Sequence, residues 1–296
     1  MYLFVYGTLC KGERNHHYVK NEICISEQAF IRSKLYKGEF YYPFIVHHES
    51  EITFGELYKV DDDIEPLIDK LEGWHPDDPS PLFHKKLVQV QTPKVEVEAY
   101  TYFGSAQLNK EKEIRSGDWK VEGVINTQPV YYFAYGSCMD NARFKKAGVD
   151  HLFERIIGGA HLNHYEMLFS HHLTDGARAD IGEAENGLVE GVLYEVNEEA
   201  LDYLYMREGV YSYWYRPTVV TVKRNETTYR ALTFTVITKN PNKAVPLHYA
   251  IEIHRGAARH LSKSYGEQIV NTFTQHLPVE GFIEYLEEWR NKGGPC

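Results

Sequence analysis

Val5-Tyr6-Gly7-Thr8-Leu9 ends the first apolar run of the chain, and a related stretch, Ala134-Tyr135-Gly136-Ser137, occurs 129 residues later. A Gly-x-Leu-Tyr motif and then a Glu-Gly pair follow each stretch. These motifs are Gly55-Glu56-Leu57-Tyr58 with Leu71-Glu72-Gly73, and Gly191-Val192-Leu193-Tyr194 with Arg207-Glu208-Gly209. Fourteen residues separate the motif Tyr from the Glu in both copies. The shared order and spacing predict two copies of one folding unit.

The chain has 296 residues, enough for two domains that each bury about two-thirds of their surface on folding. We expect one domain at residues 1–125 and a second at residues 129–296, with a connection within residues 121–129. Residues 2–6 and 130–134 are rich in β-branched and aromatic side chains. Each run therefore predicts a buried first strand that stops at the Tyr-Gly turn.

Apolar residues spaced for one helix face precede both Glu-Gly pairs, at residues 61–71 and 198–206. Short amphipathic helices are therefore expected there, with each Glu at the helix exit. Further strands are predicted at residues 53–60, 83–91, 95–103, 217–222 and 231–237. Only the second copy continues into a helical tail, at residues 248–261, 265–273 and 279–289. The predicted fold class is α+β.

The net charge of −10 and the pI near 5.8 leave no basic stripe that could neutralise phosphates, so nucleic acid is not an expected partner. The N-terminus lacks the pattern of a signal peptide, and no run of about 18 apolar residues occurs. Cys10, Cys24, Cys138 and Cys296 form no Cys-x-x-Cys pair and are interpreted as reduced thiols. We expect a cytoplasmic protein that does not associate with membranes.

The Tyr-Gly-Thr and Tyr-Gly-Ser turns can direct backbone N–H groups toward one point, because glycine lets the chain approach a ligand closely. Such a turn suits a carboxylate or an oxyanion. The alternative is a structural turn in which the hydroxyl caps a helix. The occurrence of two turns with the same downstream motifs favours a ligand site.

Glu72 and Glu208 are the candidate acid–base groups, because both lie at one distance from the Gly-x-Leu-Tyr motif. A carboxylate that is partly buried among aromatic rings has a raised pKa, as a general base working near pH 7 requires. The alternative is a solvated charge at a helix end.

Other reactive groups are weaker candidates. The pairs His16-His17, His47-His48 and His171-His172 lack metal-site spacing and are interpreted as surface histidines. Cys138 and Cys10 lie in or near the turns, so a thiol nucleophile stays a hypothesis. No Gly-x-Ser-x-Gly, phosphate-binding or dinucleotide motif occurs.

Both halves resemble the γ-glutamylcyclotransferase-like superfamily. The first resembles its plant-avirulence-induced and γ-glutamylamine cyclotransferase branch through the motifs above, Tyr42-Pro43 and Ser116-Gly117-Asp118-Trp119. The second resembles γ-glutamylcyclotransferase itself through Phe133-Ala134-Tyr135-Gly136-Ser137, Pro246-Leu247-His248-Tyr249 and Gly256-Ala257. The resemblance spans most of the chain and implies units that are each a small, mixed, barrel-like sheet with short helices.

The resemblance also implies a reaction in which the α-amino group of a γ-glutamyl compound attacks its own γ-carbonyl and forms 5-oxoproline. Glu72 and Glu208 would be the catalytic bases, and no cofactor or metal would be needed. The substrate-binding residues implied are Tyr6, Gly7, Thr8 and Leu9 in the first copy, and Tyr135, Gly136, Ser137, Cys138, Tyr215, Arg216 and Tyr249 in the second.

Both copies depart from the family pattern. Cys138 replaces the usual Asn of the second turn, and Phe83 and His84 stand in the first copy where the second has Tyr215 and Arg216. A carboxylate-binding protein without activity and a thiol-dependent amide hydrolase are the alternative functions. The oligomeric state is open, and a monomer is plausible because two units in one chain can replace a dimer.

Overall fold

The computed structural model describes residues 1–39 and 41–294. It divides into one unit at Met1–Gly123 and a second that begins at Val124. Each unit is built on its own sheet and has its own core. The family fold expected from the sequence, α+β with two tandem units and a helical C-terminal tail, is confirmed.

The first unit is a closed barrel of five strands, with the neighbour order β3-β1-β5-β4-β2 and a further pairing of β2 with β3. Four neighbour pairs are antiparallel, whereas β1 and β5 are parallel. The strands are β1 Tyr2–Val5, β2 Ile23–Lys37, β3 Pro43–Lys59, β4 Phe83–Gln91 and β5 Glu96–Gly104, and the short β6 Lys112–Glu113 pairs antiparallel with the end of β2.

Helix α1 at Glu65–Glu72 lies within this unit, and α2 at Trp119–Ile125 begins in it and crosses its boundary at Gly123. Helix α1 ends because Gly73 adopts a left-handed conformation with φ of 64°. Helix α2 occupies the start of the segment that we expected to be a plain connection. Its side chains pack into the first unit, because Val121 is fully buried and Lys120 is almost so.

The second unit repeats the barrel, with the closed order β10-β11-β7-β9-β8. Its single parallel pair is again formed by the first strand, β7, and the last, β11. The strands are β7 Val130–Ala134, β8 Ile156–Leu173, β9 Gly176–Val196, β10 Tyr215–Arg224 and β11 Thr227–Val236. The helices are α3 Ala142–Ala147, α4 Glu198–Arg207, α5 Leu247–His260, α6 Lys263–Asn271 and α7 Phe282–Asn291, and a π-helical turn, Thr272–His276, follows α6.

The Gly of each Gly-x-Leu-Tyr motif is required by the closeness of the first strand. A Cβ atom on Gly55 would lie 2.1 Å from the carbonyl oxygen of Val5, and one on Gly191 would lie 2.5 Å from that of Ala134. No side chain fits at these distances. In each barrel, the motif glycine therefore lies where the end of the first strand packs closely against its antiparallel neighbour.

No helix in residues 1–39 and 41–294 has the length and apolar character needed to span a bilayer. Cys10, Cys24 and Cys138 are free thiols, and Cys296 lies outside the described residues.

Candidate active site

The two Tyr-Gly turns leave their first strands in the same way. The Tyr6 hydroxyl donates to the carbonyl oxygen of Tyr102 at 2.6 Å, and the Tyr135 hydroxyl donates to that of Phe234 at 2.5 Å. Both acceptors lie on the last strand of the barrel, β5 or β11. Each buried tyrosine therefore connects its turn to the strand that pairs in parallel with the first strand.

Backbone N–H groups in both turns are available to a ligand. Within the described residues, the N–H groups of Thr8 and Leu9, and those of Ser137 and Cys138, donate no hydrogen bond. All four residues line cavities. Two adjacent free donors suit an anionic or developing oxyanionic group.

Neither the Thr8 hydroxyl nor the Ser137 hydroxyl caps a helix. The alternative of a purely structural, helix-capping turn therefore does not describe these turns. The Thr8 hydroxyl accepts from the side-chain amide of Asn15 at 3.0 Å. The Ser137 hydroxyl accepts from the guanidinium of Arg207 at 3.2 Å. Each hydroxyl is oriented by a side chain beside its cavity.

Glu72 is the last residue of α1 and lines a cavity of about 260 Å³ with Tyr6, Gly7, Thr8 and Leu9. Its carboxylate makes no hydrogen bond or ion pair with any described residue. Burial raises its pKa from the ordinary value to about 7. Glu72 is therefore divided between its acid and base forms near neutral pH.

Glu208 caps α4 and lines a cavity of about 250 Å³ with Tyr135, Gly136, Ser137 and Cys138. Burial raises its pKa, and the neighbouring Arg207 guanidinium, whose Nε lies 3.4 Å from Oε1 of Glu208, opposes that rise. The Cys138 thiol lies 3.9 Å from the same oxygen. The two candidate bases thus have different electrostatic surroundings.

Tyr215 and Tyr249 complete one wall of the second cavity. The Tyr215 hydroxyl donates to the carbonyl oxygen of Ala179 at 2.7 Å, and the Tyr249 hydroxyl accepts from the N–H of the same residue at 3.1 Å. Arg216 is buried but does not line this cavity. In the first copy, Phe83 lines the cavity, and the exposed His84 does not.

Several cavity residues were not singled out from the sequence. His171 lies 5.5 Å from the ring of Trp214 and 5.2 Å from that of Tyr215, and burial lowers its pKa. The interpretation of this histidine as a surface group was wrong, because its strand faces the cavity at that position. Other cavity residues that were not singled out include Arg14, Asn15 and Thr101 in the first copy, and Arg143, Arg178 and Arg207 in the second.

Thr101 has a specific feature among these residues. It is fully buried, lines the first cavity, and its hydroxyl has no hydrogen-bond partner within the described residues. The corresponding Thr233 donates to the carbonyl oxygen of Phe133 at 2.8 Å. The two copies therefore differ in whether the threonine hydroxyl of the last strand is bonded to the protein.

A buried ion pair between Glu56 and Lys120 stabilises the segment just after the first turn. Glu56, on β3, is fully buried and accepts from Lys120 of α2 at 2.6 Å. Its other oxygen accepts from the backbone N–H of Lys11 and from the Tyr58 hydroxyl, both at 2.8 Å. Burial alone would raise the pKa of Glu56, but Lys120 and these hydrogen bonds hold it below its usual value. The pair connects α2 to the residue just after the turn.

The second turn is supported by a different set of charges. Asp140, just after the turn, is fully buried and accepts from Arg255 at 2.7 Å and from Arg259 at 2.9 Å. Both arginines belong to α5. Gly256 lets that helix approach, because a Cβ there would lie 2.5 Å from Cβ of Met139. Each turn is thus held by a buried carboxylate and a cation from a later helix.

The surroundings of Cys138 do not resemble those of a catalytic thiol. Burial raises the pKa of this thiol, and Arg207 offsets the rise only in part. No histidine contacts Cys138 within the described residues, and its thiol lies beside the Glu208 carboxylate at 3.9 Å and the Arg207 guanidinium at 3.2 Å instead. Residues 1–39 and 41–294 contain no cluster of three or more His, Cys, Asp or Glu side chains arranged to hold a metal ion.

The model of the γ-glutamyl cyclotransferase, AIG2-like family matches residues 3–121, and an AIG2-like family model matches residues 188–269. A Bacillus subtilis (strain 168) protein named "Putative gamma-glutamylcyclotransferase YkqA" is 43% identical over 275 residues, which cover 90% of this chain and 95% of that protein. The crystal structure of YkqA superposes with a TM-score of 0.82 at 41% identity, covering 94% of this chain and 98% of that chain.

A second relative is smaller than this chain. Gamma-L-glutamyl-butirosin B gamma-glutamyl cyclotransferase of Niallia circulans is 35% identical over 121 residues, which cover 40% of this chain and 74% of that protein. Its match has about the length of one of the two units.

Proposed function

This chain belongs to the γ-glutamyl cyclotransferase, AIG2-like family, and from that membership we propose that it cyclises γ-glutamyl compounds to 5-oxoproline. The α-amino nitrogen bonds to the γ-carbonyl carbon, the γ-amide bond breaks, and an amine or amino acid leaves. The observation that carries this proposal is the pairing, in each cavity, of one carboxylate of raised pKa with a turn that has free N–H groups.

In the proposed mechanism, Glu72 or Glu208 accepts a proton from the substrate's α-ammonium group. The resulting amine attacks the γ-carbonyl, and the oxyanion that forms accepts hydrogen bonds from the free N–H groups of the turn. The same Glu then donates its proton to the leaving nitrogen as the γ-amide bond breaks. It next takes the second proton of the ring nitrogen, which leaves 5-oxoproline with one N–H, and passes that proton to the released amine. Such transfer by a positioned group contributes about 10² to 10⁴ in rate.

The proposed ring closure also depends on holding the substrate in one conformation. Attack within one molecule avoids most of the entropy cost of bringing two reactants together, worth on the order of 7 to 11 kcal/mol in well-oriented systems. The small cavities and the fixed tyrosines support this use of positioning. Both copies have the proposed groups, so we propose activity for each.

The direct test incubates the protein with a panel of γ-glutamyl amines and γ-glutamyl dipeptides, glutathione included, and measures 5-oxoproline by mass spectrometry. Glu72→Gln and Glu208→Gln should each remove the activity of one copy, and the double variant should make no product. Glu199→Gln, an exposed change on α4, is the matched control and should be fully active. Product formation by the double variant at the wild-type rate would refute the assigned bases.

A carboxylate-binding protein without activity is the second candidate, because free N–H groups in a turn can hold an anion without any reaction. Calorimetry separates the two functions. Tight binding of 5-oxoproline or glutamate that is unchanged by both Glu→Gln substitutions, together with no turnover of the panel, would favour simple binding.

A further inference from the structure

Arg207 is the residue immediately before the candidate base of the second copy, and it contacts both parts of the site. Its Nε lies 3.2 Å from the Cys138 sulfur and 3.4 Å from Oε1 of Glu208. Its Nη2 donates to the Ser137 hydroxyl at 3.2 Å. One planar guanidinium therefore joins the turn to the carboxylate.

The first copy has no such connection. Leu71 stands where the second copy has Arg207, and Leu9 stands where it has Cys138. Both leucines line the first cavity. Arg14 lines it as well, but it makes no ion pair with Glu72 within the described residues. The turn and the base of the first copy are therefore placed by separate parts of its barrel.

We propose that Arg207 is a positioning residue of the second copy, which holds Glu208 and the Ser137–Cys138 turn in one arrangement. The inference rests on the proposed cyclisation and deepens it. It distinguishes the two copies: the second needs a cation to place its base, and the first does not. A fork of N–H donors can fix two partners at once, which a flexible ammonium group does less well.

The same contact affects the ionisation of Glu208. The groups that face Glu208 are Arg207 from α4, Arg143 from α3, the Cys138 thiol, and the hydroxyls of Tyr132, Tyr135, Tyr215 and Tyr249. Of these groups only the two arginines are positive, and Arg143 is also paired with Glu252 at 2.6 Å. Arg178 lines the same cavity but is paired with Asp175 at 2.9 Å. Glu72 faces the hydroxyls of Tyr6, Tyr42 and Tyr102. Removal of Arg207 should therefore make Glu208 ionise at higher pH.

The test uses Glu72→Gln protein, in which only the second copy can act. Arg207→Leu, which introduces the residue of the first copy, should lower kcat about tenfold or more and move the acidic limb of the kcat/KM profile to higher pH. Arg207→Lys keeps the charge and should restore the position of that limb, with kcat still reduced. A raised KM with kcat and the pH profile unchanged would overturn the proposal, because Arg207 would then simply bind substrate.

The reciprocal change tests the difference between the copies. In Glu208→Gln protein, Leu71→Arg should move the acidic limb of the remaining profile to lower pH. An unchanged limb in this variant, together with an unchanged limb in the Arg207→Leu variant, would show that a cation at this position has no influence on either base.

A measurement that does not need turnover separates this inference from the proposed function. The N–H groups of Met139 and Asp140 are hydrogen-bonded within the second turn. If Arg207 holds the turn, Arg207→Leu should speed amide exchange at these two residues about tenfold or more and leave strand β9 unchanged. Unchanged exchange would refute the positioning role, whereas Glu72→Gln protein that makes no 5-oxoproline would refute only the activity of the second copy.

Discussion

Glu72 ends helix α1 inside a cavity, and no cation of residues 1–39 and 41–294 pairs with its carboxylate. Burial raises the pKa of Glu72 to about 7. In the protein with Glu208→Gln, the proposed activity of the first copy should therefore depend on pH in the neutral range. The measured kcat/KM should fall about tenfold per pH unit well below pH 7, because the protonated carboxyl cannot accept a proton. A flat profile between pH 5 and 8 would contradict the role of Glu72 as the base.

The same residue should cost stability at alkaline pH. Its folded pKa of about 7 exceeds the ordinary value of 4.5, so its contribution is most favourable below about pH 4.5 and is lost as pH rises through 7. Glu72→Gln should therefore stabilise the protein at pH 8 by on the order of 1 to 3 kcal/mol, at about 1.4 kcal/mol per pKa unit. Urea denaturation at pH 8 and at pH 5 checks this, with a much smaller difference expected at pH 5.

Single residues were predicted from the sequence only where a motif fixed their spacing. Glu72 and Glu208 were singled out because both lie fourteen residues after a Gly-x-Leu-Tyr tyrosine. Arg207 lies beside one of them but has no counterpart in the first copy, so the repeat gave it no weight. The inward direction of His171 depends on the register of β8 with β9, which the local sequence does not encode.

At the scale of elements, the two turns are anchored by different helices, α2 and α5. Most strands and helices of the two units were predicted from the sequence, because apolar periodicity identifies them and glycine marks where several of them end. The long hairpins of β2 with β3 and of β8 with β9 were recognised only in part. Their outer halves carry polar residues that continue the ladder through register shifts, so the alternation expected of a regular strand is broken.

The anchor of the first turn makes a specific prediction. Lys120→Met leaves Glu56 buried without its cation and should destabilise the protein by about 3 to 5 kcal/mol. The double change Glu56→Val with Lys120→Leu removes both charges and introduces at position 56 the residue type of Val192, so it should destabilise the protein less than Lys120→Met does. The remaining loss comes from the Lys11 N–H and the Tyr58 hydroxyl, which no longer have an acceptor. Urea denaturation followed by circular dichroism checks both.

The double variant also separates folding from activity. It removes the acceptor of the Lys11 N–H group, which follows the first turn. In Glu208→Gln protein it should therefore lower kcat/KM about tenfold although the fold is intact. Full activity in this variant would mean that the turn holds its shape without the anchor.

At the scale of the molecule, each unit has a closed barrel, a core and a cavity of its own. We predict that residues 1–125, which keep α2 whole, and residues 129–296 fold as separate proteins. Each should unfold cooperatively, and the sum of their 5-oxoproline rates should match that of the full chain. A fragment that is unfolded by circular dichroism would show that the units depend on each other.

The placement of each barrel's first strand between its third and last strands has a consequence for synthesis on the ribosome. The strand β1 is made first, but one of its edges stays unpaired until residues 96–104 have been translated. The strand β7 waits in the same way for residues 227–236. An open edge that persists during translation invites pairing with other nascent chains. The newly made protein is therefore most vulnerable to aggregation in two separate intervals, one for each barrel.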